Sequence, residues 1–184
     1  MVLALDMLGK SDMLESKRRA IIDHIYKSQV LVSTTSPLIG HAGFIGSAYL
    51  GQKADSCIDL DCEGPVAFNK RFMQGHIAMT YTALATLIAL GKDLSALDKS
   101  QLVSGLRHLQ QANGSFAATM DANEADMRFL YCACAISAML GDWSGIDIPK
   151  ALSFISRCCT YEGGFGLIPG SLSALHQVAP HLYL

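Results

Sequence analysis

The sequence predicts an all-α protein in which pairs of helices stack side by side. Three observations support this prediction. Nearly apolar helical segments alternate with amphipathic ones, the pattern recurs about every fifty residues, and each unit closes on a glycine–phenylalanine turn. A period of this size is typical of stacked supersecondary units. If the units curve round, their apolar helices enclose an apolar cavity.

The first helix of each unit is apolar on nearly all sides. Residues 76–91 align with residues 126–141 at an offset of 50, so that Tyr81 matches Tyr131 and both segments end on a glycine. A helix of this composition is either buried on all sides or lines an apolar cavity. The terminal glycines predict left-handed C-caps.

The second helix of each unit begins at Asp98 or Asp147, at an offset of 49. Asp98 and Gln101 have the spacing of a capping box. The apolar residues that follow Asp98 fall on one side of the helix, at Leu102, Leu106 and Leu109. This pattern predicts an outer helix with one face in the core and the other in water.

Each unit closes with a glycine–phenylalanine turn, over residues 114–116 and 163–166. Glycine permits the positive φ of a tight turn, and we expect each phenylalanine ring to enter the core. A degenerate first copy has a charged helix over residues 16–30 and a turn over residues 43–46. A longer loop over residues 51–74 breaks the period.

Composition excludes several functional classes. The 184 residues are 51% apolar and 16% charged, with a net charge of −2 and a pI near 6.3, so that no basic field favours nucleic acid or an anionic membrane surface. The longest apolar stretches, residues 83–90 and 130–140, are shorter than the roughly 18–20 residues of a membrane span. Residues 1–6 lack the basic region of a signal peptide and resemble the middle of a helix.

The cysteines indicate a reducing compartment. Secreted disulfide scaffolds are short and rich in loops, and this chain is neither, so we expect a cytoplasmic protein. Cys132 and Cys134 lie in an alanine-rich helical segment, where a thiol behaves as a small hydrophobe. Cys57 and Cys62 have no second pair at ligand spacing, so we do not predict a zinc knuckle there.

Five blocks of the sequence carry a resemblance to a known family, namely residues 75–82, 106–116, 126–133, 143–147 and 161–166. In this order they resemble the β subunits of protein prenyltransferases, and most closely those of type I geranylgeranyltransferase. Two earlier segments, residues 5–8 and 43–51, are also similar to that family. Together the resemblance covers residues 1–170, which we treat as one domain.

The resemblance implies a partial α/α toroid of helical hairpins around an apolar funnel. It also implies a heterodimer with a helical α subunit and the transfer of geranylgeranyl from geranylgeranyl diphosphate to a cysteine of proteins that end in the CaaX pattern. In the family, zinc binds the substrate cysteine as a thiolate, which is the nucleophile at neutral pH. The apolar funnel binds the geranylgeranyl chain of the lipid substrate.

Three site residues follow from the resemblance. Arg128 matches an arginine that lies beside the isoprenoid and the peptide end in the family, and Tyr131 matches an aromatic residue of the isoprenoid wall. Met79 matches a position near the last side chain of the peptide substrate. Each has a structural alternative. The alternative for Arg128 is a structural ion pair with Glu124 or Asp126. The alternative for Tyr131 and Met79 is that their side chains fill the core. His76, which has no ligand partner one turn away, and Trp143 are predicted to be structural.

No catalytic residue and no metal ligand carries over. The zinc ligands and the basic residues that bind diphosphate in the family lie beyond the region of resemblance. Residues 171–184 form a divergent, irregular tail, in which His176 is not followed by the family's Gly-Gly. We therefore expect this chain to be inactive alone.

Three other interpretations stay open. The first is a farnesyltransferase β subunit, because that family shares the fold and the glycine–phenylalanine turns. It could instead be a non-catalytic fragment that binds the α subunit. An unrelated toroid, such as part of a terpene cyclase, is disfavoured because the aspartate-rich motif of that family is absent from the sequence.

Overall fold

The computed structural model describes residues 15–46, 58–59 and 73–172. Within these ranges the chain folds mainly into helices, as predicted. The predictions for residues 1–6, for Cys57 and Cys62, and for the tail after residue 172 lie outside the described residues. The α-helices of the described part are α1 (Arg18–Lys27), α2 (Ile77–Ala89), α3 (Lys99–Leu109), α4 (Met127–Leu140) and α5 (Ile148–Arg157).

The two apolar inner helices, α2 and α4, pack against each other. Both end as predicted, because Gly91 and Gly141 follow them with φ values of +68° and +70°. The amide of Asp142 donates to the carbonyl of Ser137 at 3.1 Å, which satisfies a terminal carbonyl of α4. The glycine signal in the sequence therefore located both helix ends.

The two outer helices, α3 and α5, begin at the predicted aspartates. The Asp98 carboxylate accepts the Gln101 amide at 3.2 Å, and the Gln101 side chain donates back to the same carboxylate at 3.0 Å. Asp147 accepts the amide of Lys150 at 3.2 Å. These bonds satisfy amides that have no partner within their own helix. The predicted stripe of α3 is buried, at Leu102, Leu106 and Leu109.

The glycine–phenylalanine turns differ in one respect from the prediction. Gly114 and Gly163 have φ values of +90° and +82°, as expected. Phe116 is fully buried, whereas Phe165 is 49% exposed, so the prediction that both rings enter the core is wrong for Phe165. The difference arises because α4 follows and covers the first turn. Within the described residues no helix follows the second turn.

Short strands, which the sequence did not predict, tie the turns together. Gln29–Leu31 (β1) pairs antiparallel with Gly43–Phe44 (β2) and parallel with Ile58–Asp59 (β3). Phe116–Ala117 (β4) pairs antiparallel with Ala125–Asp126 (β5). The second pair brings the closing turn of one unit to the start of the next inner helix.

The charged helix α1 packs beside α2 and interacts with the end of that helix. The Arg18 Nε donates to the carbonyl of Leu90 at 3.0 Å. A cation at this position compensates the partial negative charge of the helix C-terminus. The main core lies between the helices and includes Leu84, Leu87, Phe116, Ala133, Ile136 and Phe154.

The cysteines that the structure describes are all free thiols. Cys132 is buried in α4 and Cys134 is partly buried, as expected for small hydrophobes. Burial raises the pKa of both thiols. None of the helices in the described part of the chain is long and apolar enough to cross a membrane.

Candidate functional site

One face of the inner helices is open and, apart from Arg128 near the start of α4, apolar. On α4 it carries Arg128, Tyr131, Ala135 and Ala138, which are one or two turns apart, and Tyr131 is 59% exposed. The equivalent positions on α2, fifty residues earlier, hold Ala78, Tyr81, Ala85 and Ile88. We call these eight residues the inner stripe. The stripe explains why both helices are apolar on every side, since the face that is not in the core contributes to a shared apolar surface.

Two tyrosines meet across the inner stripe. Tyr81 and Tyr131 pack edge to face, with ring centroids 5.7 Å apart and an interplanar angle of 70°. A side-chain hydrogen bond to Tyr131 is the largest cause that raises the pKa of Tyr81. The sequence aligned Tyr81 with Tyr131 but did not single it out as a site residue. The repeat offset was the signal that could have found it, because equivalent residues of neighbouring inner helices lie side by side.

Arg128 is held by two carboxylates. Its Nε donates to the Asp126 Oδ1 at 3.1 Å and to the Oδ2 at 3.0 Å, and its Nη2 pairs with Glu124. The hydrogen bonds to Asp126 and Glu124 raise the pKa of Arg128. The ion pairs that the sequence left open as an alternative are therefore present, and 53% of the Arg128 side chain remains exposed.

The charge around Arg128 limits what this residue can bind. Two carboxylates surround one guanidinium, so the cluster as a whole is negative. Its field does not favour a diphosphate, which binds where positive charge dominates. The guanidinium also lies over the Phe129 ring, at 5.3 Å from the centroid. Arg128 thus offers a flat surface and its remaining N–H donors to a ligand, rather than a net positive charge.

Met79 lies in a second, separate place. It lines an apolar groove of about 210 Å³ between α1 and α2, together with Ile21, Ile25 and Phe44. A Cβ atom added to Gly46 would lie 3.0 Å from the Met79 Sδ, so the two residues are in close contact. The structure therefore does not bring Met79 together with Arg128 and Tyr131, which face the inner stripe on α4.

The repeat explains the groove at Met79. Met79 is the equivalent of Phe129, and Phe129 is buried in α4 with its ring 5.9 Å from that of His76. The next three groove residues of α2 are likewise the equivalents of buried residues of α4. The pairs are Thr82 and Cys132, Ala83 and Ala133, and Thr86 and Ile136. Within the described residues, the groove is thus the open counterpart of the surface by which α4 packs on the preceding unit.

His76 has a structural role, as predicted. Its Nδ1 accepts the amide of Ala78 at 3.1 Å and so caps α2. Burial lowers the pKa of His76, which favours the neutral ring that this bond requires. Trp143, which was also predicted to be structural, is 45% exposed and lies outside the buried core.

The described residues do not fit a zinc site. No group of three His, Cys, Asp or Glu side chains comes close enough together to hold a metal ion in residues 15–46, 58–59 and 73–172. A zinc site needs three or four such ligands. No chemical step is therefore assigned to a metal held by these residues.

Stacked helical pairs whose inner helices share an open face define a class of fold, the α/α toroids. The chain belongs to one such family, since residues 1–175 match the prenyltransferase alpha-alpha toroid domain. Among curated proteins, the geranylgeranyl transferase type-1 subunit beta of Dictyostelium discoideum is 35% identical over 173 residues, which are 91% of this chain and 48% of that relative.

Two further relatives are similar over shorter stretches. The geranylgeranyl transferase type-1 subunit beta of Arabidopsis thaliana is 44% identical over 131 residues, which are 71% of this chain and 32% of the relative. The protein farnesyltransferase subunit beta of Pisum sativum is 38% identical over 98 residues, which are 52% of this chain and 23% of the relative. The chain therefore spans half or less of the length of these relatives. It is a member of the prenyltransferase β-subunit family, which is a family of transferases.

Proposed function

We propose that this chain is part of the β subunit of a CaaX-protein geranylgeranyltransferase, which transfers geranylgeranyl from geranylgeranyl diphosphate to a cysteine near the C-terminus of its substrate. The observation that carries the proposal is the inner stripe of α2 and α4, an open apolar surface in a family member. The type-1 β subunits, 35% and 44% identical to this chain, support the geranylgeranyl assignment.

In this proposal the inner stripe holds the isoprenoid chain. Tyr81 and Tyr131 supply an aromatic wall, and the small residues Ala85, Ala135 and Ala138 leave room beside it. Burying an apolar chain on such a surface is favourable by about 25 cal/mol per Å². Arg128 contacts the ligand through its flat guanidinium and free donors, since its charge is already balanced.

We also propose that the chain binds a prenyltransferase α subunit and acts in the cytoplasm. The relatives are named as subunits, and the described cysteines are unpaired, as expected of a reducing compartment. We further propose that residues 1–184 do not catalyse transfer by themselves. The described residues provide no ligand set that would generate the thiolate. Arg128, which pairs with two carboxylates, does not supply a net positive charge for the leaving diphosphate.

The test is the binding of a fluorescent geranylgeranyl diphosphate analogue to the chain purified with an α subunit. Tyr131→Ala is expected to weaken binding about tenfold, because it removes an aromatic contact of roughly 1–2 kcal/mol. The matched control is Tyr161→Ala, since Tyr161 is an exposed tyrosine that lies on a turn and not on either inner helix. Equal effects of the two substitutions would contradict the isoprenoid site.

The same preparation separates the remaining alternatives. Tighter binding of the farnesyl analogue than of the geranylgeranyl analogue would favour a farnesyltransferase β subunit. A complex with the α subunit that binds neither analogue would favour a non-catalytic interaction protein. Turnover of a CaaX peptide ending in leucine, together with stoichiometric zinc, would show that the chain is active and that its proposed inactivity is wrong.

A further inference from the structure

A pocket larger than the groove at Met79 is formed without the inner helices. Its volume is about 650 Å³, and it is lined by the second half of α1, by β1 and by the start of α3 with the segment before it. We call it the outer pocket, and its polar lining residues are Asp23, Tyr26, Lys27, Gln29, Asp98 and Gln101. No residue of α2 or α4 lines it, so it is separate from the inner stripe. Its size is within the roughly 300–1,000 Å³ of sites that hold small ligands.

One side chain fixes the walls of the outer pocket relative to each other. The Gln101 Oε1 accepts the amide of Val32, which follows β1, at 3.2 Å. The Gln101 Nε2 donates to the Asp98 Oδ2 at 3.0 Å. Gln101 therefore joins the end of β1 to the start of α3, and it has already used its acceptor and one of its donors.

Gln29, by contrast, is buried without a partner. It lies in β1 and is 7% exposed, and within the described residues its side-chain amide makes no hydrogen bond. A buried amide that lacks a partner is uncommon, because it loses the hydrogen bonds that water would make. The polar atoms of Gln29 are not sealed in the core, unlike the Oγ of Ser137, and they therefore open into the pocket that Gln29 lines. The floor of the outer pocket thus offers a free amide to a ligand.

The charges of the outer pocket favour a cation. Two carboxylates, those of Asp23 and Asp98, and one ammonium group, that of Lys27, line it. In the part of the chain that the structure describes, Asp23 forms no ion pair. The lining therefore has one negative charge in excess, which disfavours an anionic ligand. A metal ion is not supported either, since no group of three His, Cys, Asp or Glu side chains comes together in the described ranges.

We propose that the outer pocket binds a guanidinium group. A guanidinium presents five N–H donors in one plane, so it can bond to the Asp23 carboxylate and to the Gln29 amide oxygen together. Its flat face stacks on aromatic rings, and the half-buried Tyr26 supplies such a ring in the lining. An ammonium group is more strongly hydrated and has its donors around a single nitrogen, so it fits this site less well. The outer pocket holds its ligand whether or not the inner stripe binds an isoprenoid.

The test is a calorimetric titration of the full chain with N-acetylarginine amide, in which the guanidinium is the one charged group. The expected dissociation constant is about 1 mM or lower, as for a small ligand with a charge-assisted contact. N-acetylcitrulline amide has nearly the same shape and no charge, and it is expected to bind at least about tenfold more weakly. Equal binding of the two compounds, or a dissociation constant of the arginine derivative above about 10 mM, would overturn the proposal.

Three substitutions place the ligand in the outer pocket. Asp23→Asn removes a charge at an exposed position of α1 and is expected to weaken binding about tenfold. Lys27→Gln removes the cation of the lining and is expected to strengthen binding about two- to threefold. Asp142→Asn is the control, because it removes a carboxylate outside the pocket and keeps an acceptor for the Ser144 amide. Weaker binding in Lys27→Gln would indicate an anion site and contradict the proposal.

Gln29→Leu separates binding from folding. The substitution removes the amide at nearly constant volume, and leucine suits a buried position. Because the amide has no partner in the free chain, the urea midpoint is expected to stay the same or to rise, while binding of N-acetylarginine amide weakens about tenfold. A lower urea midpoint together with unchanged binding would show that the amide serves the fold and not a ligand.

Two sources of the guanidinium group remain to be told apart, a free small molecule and an arginine side chain of the proposed α subunit. Agmatine is titrated into the chain alone and into its complex with an α subunit. Similar affinity in both preparations identifies a free ligand. Loss of agmatine binding in the complex, with an α-subunit affinity that Asp23→Asn lowers about tenfold, identifies an arginine of the α subunit. If no complex forms, the chain alone still tests the site, and an agmatine affinity that Asp23→Asn leaves unchanged there would overturn it.

Discussion

The backbone amide of Phe44 donates to the buried hydroxyl of Thr80 at 3.0 Å, and this bond joins β2 to α2. The hydroxyl in turn donates to the His76 carbonyl at 3.1 Å. Phe44 is itself buried, so its amide has no access to water. One side chain of an inner helix therefore satisfies the backbone of the preceding unit.

Thr80→Val is expected to destabilise the protein by about 1–3 kcal/mol, because it leaves the buried amide of Phe44 without an acceptor. The measurement is urea unfolding. Thr82→Val is the matched control, since Thr82 is exposed and its hydroxyl bonds only within its own helix, to the carbonyl of Met79. Thr80→Ser keeps the hydroxyl and should retain most of the stability. A loss in Thr82→Val as large as in Thr80→Val would contradict the role of the bond.

Asp98→Ala is expected to destabilise the protein by about 1 kcal/mol, because it removes the N-cap of α3. Hydrogen bonds from Ser100, and then from Gln101, lower the pKa of Asp98 below 3.8. The contribution of the ionised cap is therefore present above the pKa of the unfolded carboxyl and is lost as the pH falls through the lower pKa of the folded state.

Asp98→Asn is the control for the pH dependence, because it retains an acceptor and does not titrate. Unfolding measured across the acid range should show that the difference between wild type and Asp98→Asn disappears at low pH. A difference that stays constant down to the lowest pH would contradict this account.

Gly114→Ala is expected to destabilise the protein by more than about 2 kcal/mol. Its φ of +90° is unfavourable for alanine, and a Cβ atom there would lie 2.1 Å from the Lys150 carbonyl oxygen. Gly163→Ala provides the comparison, since Gly163 has a similar φ of +82° and open space around it. It should cost only the backbone strain, roughly 1–2 kcal/mol. Equal thermal shifts in the two variants would argue against the close approach of α5 to this turn.

Tyr131→Phe is expected to lower the pKa of Tyr81, because the hydrogen bond to Tyr131 is the largest cause that raises it. The measurement is a spectroscopic titration of tyrosinate in the folded protein. Tyr161→Phe removes an exposed tyrosine elsewhere and should leave the Tyr81 titration unchanged. If Tyr131→Phe also leaves it unchanged, the two hydroxyls do not interact in solution.

Much of the fold could be predicted from the sequence because its signals are local. The glycines after α2 and α4, and the aspartates before α3 and α5, act on the backbone within a few residues, and each lies where the pattern indicated. The repeat offset then aligned one unit with the next. The short strands were missed because two-residue pairings leave no periodic signal.

The candidate site was predictable only in part. The resemblance selected Arg128, Tyr131 and Met79, and their roles remain predictions. Tyr81 was missed, although its equivalence to Tyr131 was visible. Only the interatomic distances in the structure show that the carboxylates of Asp126 and Glu124 both pair with the guanidinium of Arg128. Spacing along the chain allowed these pairs but could not select among them.

By itself the sequence determined the local structure, namely where helices begin and end and which of them are apolar on every side. Those features depend on backbone conformation and on side chains a few residues apart. The tertiary structure alone decided which faces are covered. Phe116 and Phe165 occupy equivalent turns, and one is buried while the other is open, because burial depends on whether a neighbouring helix lies over the ring.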